Sequence, residues 1–383
     1  MKKWICAVLS FCMVIGFFPV QKAYAMPEVS ASACILIEAK TGEILFEKNA
    51  FEKRSMASTT KIMTTLLTIE SGDLDTEFVV DTDAIHVEGS SMGLVENDIV
   101  TKRALCYGML LPSGNDAANA SAVAVAGSIP EFAKLMNARA KEIGMTRTCF
   151  VTPSGLEGEG HGSSAYDMAL LTRTAMQNEI FRSICCQSEA RVKFGNPPYE
   201  RTLYNSNKLL KMYDGVIGVK TGFTDEAGRC LVSACERDGI ELICVTLNDR
   251  NDWNDHMTMY DYGFSEVQAV TLDAPDNLEI PVTGGIVGKL RLYAENPVIV
   301  GMKEGMENQI SVKVRHAPFV YAPIEKGDTI GTLEYYYKDT KITSVPLLSA
   351  DSTEKAVQPE LTLFDKMKQR LNAFLNHCRE TAN

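Results

Sequence analysis

Ser55-Met56-Ala57-Ser58-Thr59-Thr60-Lys61-Ile62-Met63-Thr64-Thr65-Leu66-Leu67 is the stretch around which the rest of the chain is organised. Ile62, Met63, Leu66, Leu67 and Ile69 recur at helical spacing, which predicts a helix with Ser55 as its N-cap. Ser58 then falls in the first turn, and Lys61 follows three residues later on the same face, where hydroxyl and amine can meet. A helix start favours developing negative charge, which suits a serine about to lose its proton. A lysine works as a base only when neutral, so its site must be dry or hold another cation nearby. The spacing alone is not specific. Ser352 and Lys355 repeat it in a polar run with no apolar helix behind it.

With 383 residues the chain is long enough for two domains plus appendages. Its 45% hydrophobic and 23% charged residues are ordinary for a globular protein. The formal net charge is -11, and the first 25 residues hold three lysines and no acid, so the remainder is more acidic still. Such a body repels phosphates, and nucleic acid is not an expected partner. Residues 1–25 read as a signal peptide: Lys2 and Lys3, an apolar run from 4 to 20, then Ala23-Tyr24-Ala25 as the cleavage site. An exported chain beginning at Met26 is expected. Of 11 cysteines, Cys6 and Cys12 leave with the signal, so an odd number remains. Cys34, Cys230, Cys235 and Cys244 sit in apolar, strand-like runs and read as small core residues. No Cys-x-x-Cys spacing occurs, and neither a disulfide framework nor a metal site is expected.

Outward from the central helix, residues 33–38 and 43–47 read as two strands joined through Lys40-Thr41-Gly42. A short strand at 78–80 follows. Helical patterns cover 101–111 and 116–126, separated by Pro112-Ser113-Gly114-Asn115, and a third helix runs from the cap Ser128 to Gly144. The glycine-rich run 152–163 is a loop, and Ser164-Ala165-Tyr166-Asp167 opens a helix reaching about Gln177. Strand-like runs at 215–220, 230–235 and 240–247 close the region, the last two joined by Asp238-Gly239. Strands at both ends with helices between them predict an α+β domain, one largely antiparallel sheet with helices packed on it. The expected organisation is a catalytic domain at 26–270, a small all-β domain at 271–349, a polar linker at 350–358 and an amphipathic helix at 359–383. Phe364, Met367, Leu371, Phe374, Leu375 and Cys378 form the apolar face of that helix, which is expected to lie on a membrane surface.

Three short elements carry the chemistry, in this order: Ser58-Thr59-Thr60-Lys61, Ser113-Gly114-Asn115 and Lys220-Thr221-Gly222. Ser-x-x-Lys, Ser-Asp-Asn and Lys-Thr-Gly together are the signature of penicillin-binding proteins and class A β-lactamases. Lys-Thr-Gly also occurs at Lys40, where it reads as a turn, whereas Lys220 ends a predicted strand. With these motifs, and the longer runs Leu111-Pro112-Ser113-Gly114-Asn115-Asp116-Ala117 and Lys220-Thr221-Gly222-Phe223-Thr224, the sequence closely resembles the low-molecular-mass D-alanyl-D-alanine carboxypeptidases of the S11 peptidase group. The resemblance spans nearly the whole chain. Ser113-Gly114-Asn115 matches the carboxypeptidase form of the second motif; Phe223 departs from relatives that carry histidine there.

That resemblance implies a β-lactamase/transpeptidase-like catalytic domain followed by a small β-sandwich domain. It implies that Ser58 attacks the terminal D-Ala-D-Ala amide of peptidoglycan stem peptides while Lys61 takes its proton, leaving an acyl-enzyme that water hydrolyses. Ser113 would relay a proton to the leaving amine, and Asn115 would hold the substrate amide. Lys220 and Thr221 would bind the terminal carboxylate, with Lys220 also keeping Lys61 neutral. The N–H groups of Ser58 and Phe223, beside Gly222, would form the oxyanion hole. β-Lactams are implied as inhibitors, and no cofactor. Outside the motifs, Arg250 reads as an exposed turn residue, His161 as a surface histidine, and Glu157 and Glu159 as solvated acids. A β-lactamase or esterase using the same serine is the enzymatic alternative; Ser113-Gly114-Asn115, the β-domain and the terminal helix count against it. A catalytically idle wall-binding protein would be expected to have lost Ser58 or Lys61.

Overall fold

The computed structural model describes residues 26–295, 297–357 and 363–380, so the signal-peptide assignment at 1–25 lies outside the described residues. In chain order the elements begin with strands β1 (Ala33–Glu38) and β2 (Ile44–Lys48) and helix α1 (Lys61–Glu70). Strands β3 (Glu77–Val79) and β4 (Ile99–Thr101) precede helices α2 (Lys102–Leu110), α3 (Asn115–Ala126), α4 (Ile129–Ile143), α5 (Ala165–Met176) and α6 (Glu179–Cys185). A hairpin of β5 (Glu189–Gly195) and β6 (Pro198–Tyr204), strands β7 (Val216–Thr224), β8 (Gly228–Arg237) and β9 (Ile240–Leu247), and helix α7 (Asp252–Glu266) follow.

The main sheet has the order β2-β1-β9-β8-β7, with all its pairings antiparallel. β1 pairs with β9 from Ala33↔Leu247 to Glu38↔Leu242, so the two ends of the region meet at the centre of the sheet. All six residues of β1 are buried because the sheet is covered on both faces. Ile35 and Ile37 pack into the helical core, while Cys34 and Leu36 pack with Met259 and Tyr260 of α7. Cys34, Cys106, Cys149, Cys185, Cys186, Cys230, Cys235 and Cys244 are free thiols, and burial raises those of Cys34, Cys106, Cys230 and Cys235 to about 12.

α1 is buried along eight of its ten residues, as a central helix against α2, α3 and α5. Its hydroxyls are satisfied internally: Thr64 donates to the Pro153 carbonyl at 2.6 Å and Thr68 to the Thr64 carbonyl at 2.7 Å. The expected cap at Ser55 does not form. A 3-10 turn, Ala57–Thr60, leads into α1, and neither it nor α1 has a side-chain cap. The Thr59 and Thr60 hydroxyls donate to the Met56 and Ala57 carbonyls at 2.6 and 2.8 Å, tightening the turn from within. Ser55 instead donates to Glu157 at 3.2 Å. The β5–β6 hairpin and α7 have no counterpart among the sequence expectations.

The chain divides into two units, a first that ends at Leu272 and takes back Ile299–Asn308, and a second formed by Asp273–Val298 and the residues from Gln309 onward. Beyond α7 come β10 (Gln268–Leu272), β11 (Glu279–Thr283), β12 (Lys289–Ala294), β13 (Val298–Met302), β14 (Ile310–His316), β15 (Val320–Tyr321), β16 (Thr329–Tyr337), β17 (Thr340–Ser349) and helix α8 (Leu363–Glu380). The second unit carries a six-stranded sheet of order β14-β16-β17-β12-β11-β15 around Ile280, Leu290, Leu292 and Leu347. On α8, Phe364, Met367 and Leu371 are exposed. Among the described residues no helix is long and apolar enough to cross a membrane.

Candidate active site

Lys61 is the first residue of α1 and is fully buried, while Ser58 is half-buried on the turn before it. Lys61 Nζ lies 2.9 Å from Ser58 Oγ, 2.7 Å from Asn115 Oδ1 and 2.6 Å from the Ser154 carbonyl. Asn115 Nδ2 donates to the Glu88 carbonyl at 2.7 Å, which orients the amide with its oxygen towards the lysine. Asn115 Oδ1 and the Ser154 carbonyl can only accept. A neutral lysine amine therefore spends its two N–H bonds on them and aims its lone pair at the Ser58 hydroxyl. Burial first, and the charge of Lys220 second, push the Lys61 pKa well below the ordinary lysine value, against a smaller opposing pull from Asp116.

The second motif is held by α3 and by the loop in front of it. Ser113 is buried with φ +69, and the Asn115 N–H donates to the Ser90 carbonyl at 2.7 Å. Asp116 accepts from the Ser91 hydroxyl at 2.5 Å and from the N–H groups of Met92, Gly93 and Leu94 at 2.9–3.1 Å, pinning that loop. A side chain at Gly114 would begin 2.6 Å from Asp116 Oδ1 and 2.8 Å from the Met92 nitrogen, so only glycine fits between the serine and the asparagine.

The third motif lies on β7, one of the two edge strands of the main sheet. Lys220 does not end this strand. Pairing with β8 continues to Thr224↔Gly228, because the strand is held on one side by β8 and abuts the Ala57–Thr60 turn. Lys220 is 1% exposed, its Nζ donates to the Thr221 carbonyl at 2.9 Å, and burial lowers its pKa to about 7. Thr221 Oγ1 is 2.7 Å from Ser206 Oγ. A Cβ on Gly222 would stand 3.0 Å from the Ser58 nitrogen and 3.1 Å from that of Thr59; the missing side chain is what lets strand and turn approach. Phe223 is exposed beside it.

Ser58, Ser113, Thr221, Gly222 and Phe223 line one open cleft of about 350 Å³, while Lys61, Asn115 and Lys220 are buried. The eight residues expected from the sequence thus gather around one serine. The cleft also has walls that sequence reading missed: Ser206, Lys208, Arg229 and Trp253. Arg229 Nη2 lies 2.6 and 2.8 Å from the two oxygens of the buried Asp252, and the guanidinium lies 5.4 Å from the centre of the Trp253 ring. Arg250 is exposed, as expected. Glu159 is exposed, but Glu157 accepts from Thr224 at 2.5 Å as well as from Ser55. His161 is not a surface residue. It is 8% exposed, and burial lowers its pKa to about 4.

Comparison with known proteins identifies the family. The sequence model of the D-alanyl-D-alanine carboxypeptidase family matches residues 20–251, and that of the penicillin-binding protein 5 C-terminal domain matches 271–355. The D-alanyl-D-alanine carboxypeptidase DacF of Bacillus subtilis is 31% identical over 375 residues, covering 93% of this chain and 96% of the relative. DacC of Escherichia coli is 32% identical, covering 88% of each. Among solved structures, penicillin binding protein 5 from Haemophilus influenzae superposes with TM-score 0.62 at 25% identity, covering 89% of this chain and all of that one. The Streptomyces K15 DD-transpeptidase does so with TM-score 0.60 at 31% identity, covering 63% of this chain and 99% of that one. The chain belongs to the D-alanyl-D-alanine carboxypeptidase family of serine-type peptidases, with a transpeptidase-like α+β fold followed by an all-β domain.

Proposed function

We propose that this enzyme removes the terminal D-alanine from peptidoglycan stem pentapeptides through an acyl-enzyme on Ser58, and that penicillins acylate the same hydroxyl. The observation that carries this reading is the 2.9 Å contact between Ser58 Oγ and a buried Lys61 whose other two neighbours can only accept hydrogen bonds. Lys61 takes the serine proton as the hydroxyl attacks the carbonyl carbon. The N–H groups of Ser58 and Phe223 receive the oxyanion, each donor worth about 3–4 kcal/mol. Ser113 relays the proton held by Lys61 to the amine of the departing D-alanine as the C–N bond breaks, and water then cleaves the ester. Asn115 orients the lysine through its oxygen and spends one Nδ2 hydrogen on the Glu88 carbonyl, which leaves the second hydrogen to hold the substrate amide. The terminal carboxylate meets Thr221 and its partner Ser206, within the positive field of Lys220, Lys208 and Arg229.

In the same reading, residues 1–25 direct export and 26–270 form the catalytic domain. Residues 271–349 form the β-domain, 350–358 the linker and 359–383 the membrane-associating helix. Phe364, Met367 and Leu371, exposed at three- and four-residue steps and accompanied by Lys366, Lys368 and Arg370, suit a helix lying on the outer face of the cytoplasmic membrane. Incubation with a diacetylated L-Lys-D-Ala-D-Ala tripeptide tests the chemistry. Free D-alanine is expected from the wild type and none from Ser58→Ala; release by the variant refutes the scheme.

A further inference from the structure

The mechanism leaves one buried titratable side chain beside the nucleophile without a task. His161 Nδ1 lies 3.0 Å from the Val151 N–H, which can only donate, so this nitrogen is the unprotonated one. The ring proton therefore sits on Nε2, 3.0 Å from Thr60 Oγ1. Thr60 in turn donates to the Ala57 carbonyl at 2.8 Å. The bonds run in one direction, from Val151 through His161 and Thr60 to Ala57, and only neutral histidine satisfies them. Phe150 lies against the ring, and the charges of Glu157 and Lys53, opposite in sign, act on it from outside. Thr60 is fully buried.

Ala57 needs such support. It stands at φ +46, a conformation costing a non-glycine residue about 1–3 kcal/mol, immediately before Ser58. Its carbonyl is confined on the other side by Gly155, where a Cβ would come within 2.0 Å of the oxygen. The same loop supplies the Ser154 carbonyl to Lys61 and the Pro153 carbonyl to Thr64. Turn, base and loop are thus tied together under the serine.

We propose that His161 is a positioning residue, a neutral strut that acts through Thr60 to hold the Ala57–Ser58 peptide in its strained conformation, so that the Ser58 hydroxyl faces Lys61 and the Ser58 N–H faces the oxyanion. This rests on the reading of Ser58 as the nucleophile. A strut of this kind changes the rate of acylation and leaves ground-state binding alone. A residue needed only for packing lowers the melting temperature without separating the two.

The test follows acylation of the mature chain by a fluorescent penicillin, together with kcat and KM on the D-Ala-D-Ala tripeptide and thermal melting. His161→Ala and Thr60→Val should each slow acylation and lower kcat at least tenfold, with KM within about twofold of wild type. Combined, they should lose no more than either alone, because they break one chain of bonds. His161→Gln, which can both accept and donate, and Thr60→Ser, which keeps the hydroxyl, should recover most of the rate. If His161→Ala fails to fold, Thr60→Val and His161→Gln still decide the matter. Wild-type acylation in Thr60→Val, losses that add in the double variant, or a loss confined to KM would overturn the strut. Labelling that persists in Ser58→Ala would overturn the underlying reading, and the strut with it. Wild-type labelling in His161→Ala with none in Ser58→Ala overturns the strut alone.

Discussion

Asn115 Oδ1 lies 2.7 Å from Lys61 Nζ, and this contact sets the direction of the lysine lone pair. Asn115→Ala should leave Lys61 free to turn from the serine and slow penicillin acylation by roughly one to two orders of magnitude. Asn115→Asp should be worse at neutral pH, because a carboxylate there stabilises the lysinium ion and removes the base. The acid limb of the acylation–pH profile should move to higher pH in Asn115→Asp and stay in place in Asn115→Ala. An unchanged limb in the aspartate variant would contradict the assignment of Lys61 as base.

Lys220, whose pKa burial lowers to about 7, loses its charge as the pH rises through that value. Turnover of the carboxylate-bearing tripeptide should therefore decline on the alkaline side of about 7, whereas a carboxylate-free ester should lack that decline. Lys220→Ala should weaken tripeptide turnover more than ester turnover and abolish the alkaline limb. Equal losses on the two substrates would remove Lys220 from carboxylate recognition.

Gly222→Ala places a methyl 3.0 Å from the Ser58 nitrogen. Strand β7 must move away from the turn, and a shift of a few tenths of an ångström enlarges the proposed oxyanion hole. A fall in acylation rate of about a hundredfold is expected, with a stability loss of only about 1–3 kcal/mol. Stopped-flow acylation and thermal melting on the same sample separate the two effects.

Arg229, seated on Asp252 and over Trp253, is the side-chain cation most firmly braced in the cleft wall. Arg229→Gln should raise KM for the tripeptide roughly tenfold or more, as expected for a lost charge-assisted contact of about 1.5–3 kcal/mol. A D-alaninamide-terminated peptide should be affected far less. Equal effects on acid and amide would show that Arg229 serves only to brace the wall.

Two buried histidines make the fold sensitive to acid. Burial holds His161 at about 4 and His256 at about 3, both below the unfolded value. The unfolded chain then binds more protons, so stability is full above about pH 6.5 and falls as the pH drops towards 4 and 3, by on the order of 3 kcal/mol or more per residue. Glu38 and Asp249, whose carboxyl pKa values burial raises, act in the opposite sense. Melting temperatures measured from pH 7.5 to 4.5 should fall, and less steeply in His256→Gln.

Much of this protein is legible in one dimension. Ser58 and Lys61 are three residues apart, so helical geometry alone brings them together, and the apolar periodicity of 62–69 announces the buried helix that carries them. Lys220-Thr221-Gly222 follows a strand pattern, and the two hairpins that build the sheet show as β runs around short turns. Helix α7 escaped because its buried face is polar to the eye. Asp252, Asp255, His256 and Tyr260 lie inward, and His256 and Tyr260 are satisfied by Ser233 of β8 and Thr246 of β9, outside the helix. Hydropathy scores a residue by its own polarity, whereas burial depends on whether a partner answers it. The sequence by itself picked out Ser58, Lys61 and the order of the motifs. Only tertiary structure decided that Asn115 faces Lys61, that Gly222 makes room for the serine N–H, that Arg229 walls the cleft, and that His161 is buried under the active turn. Each is a contact between residues at least twenty positions apart or with a backbone atom, and neither spacing nor residue type encodes such a meeting.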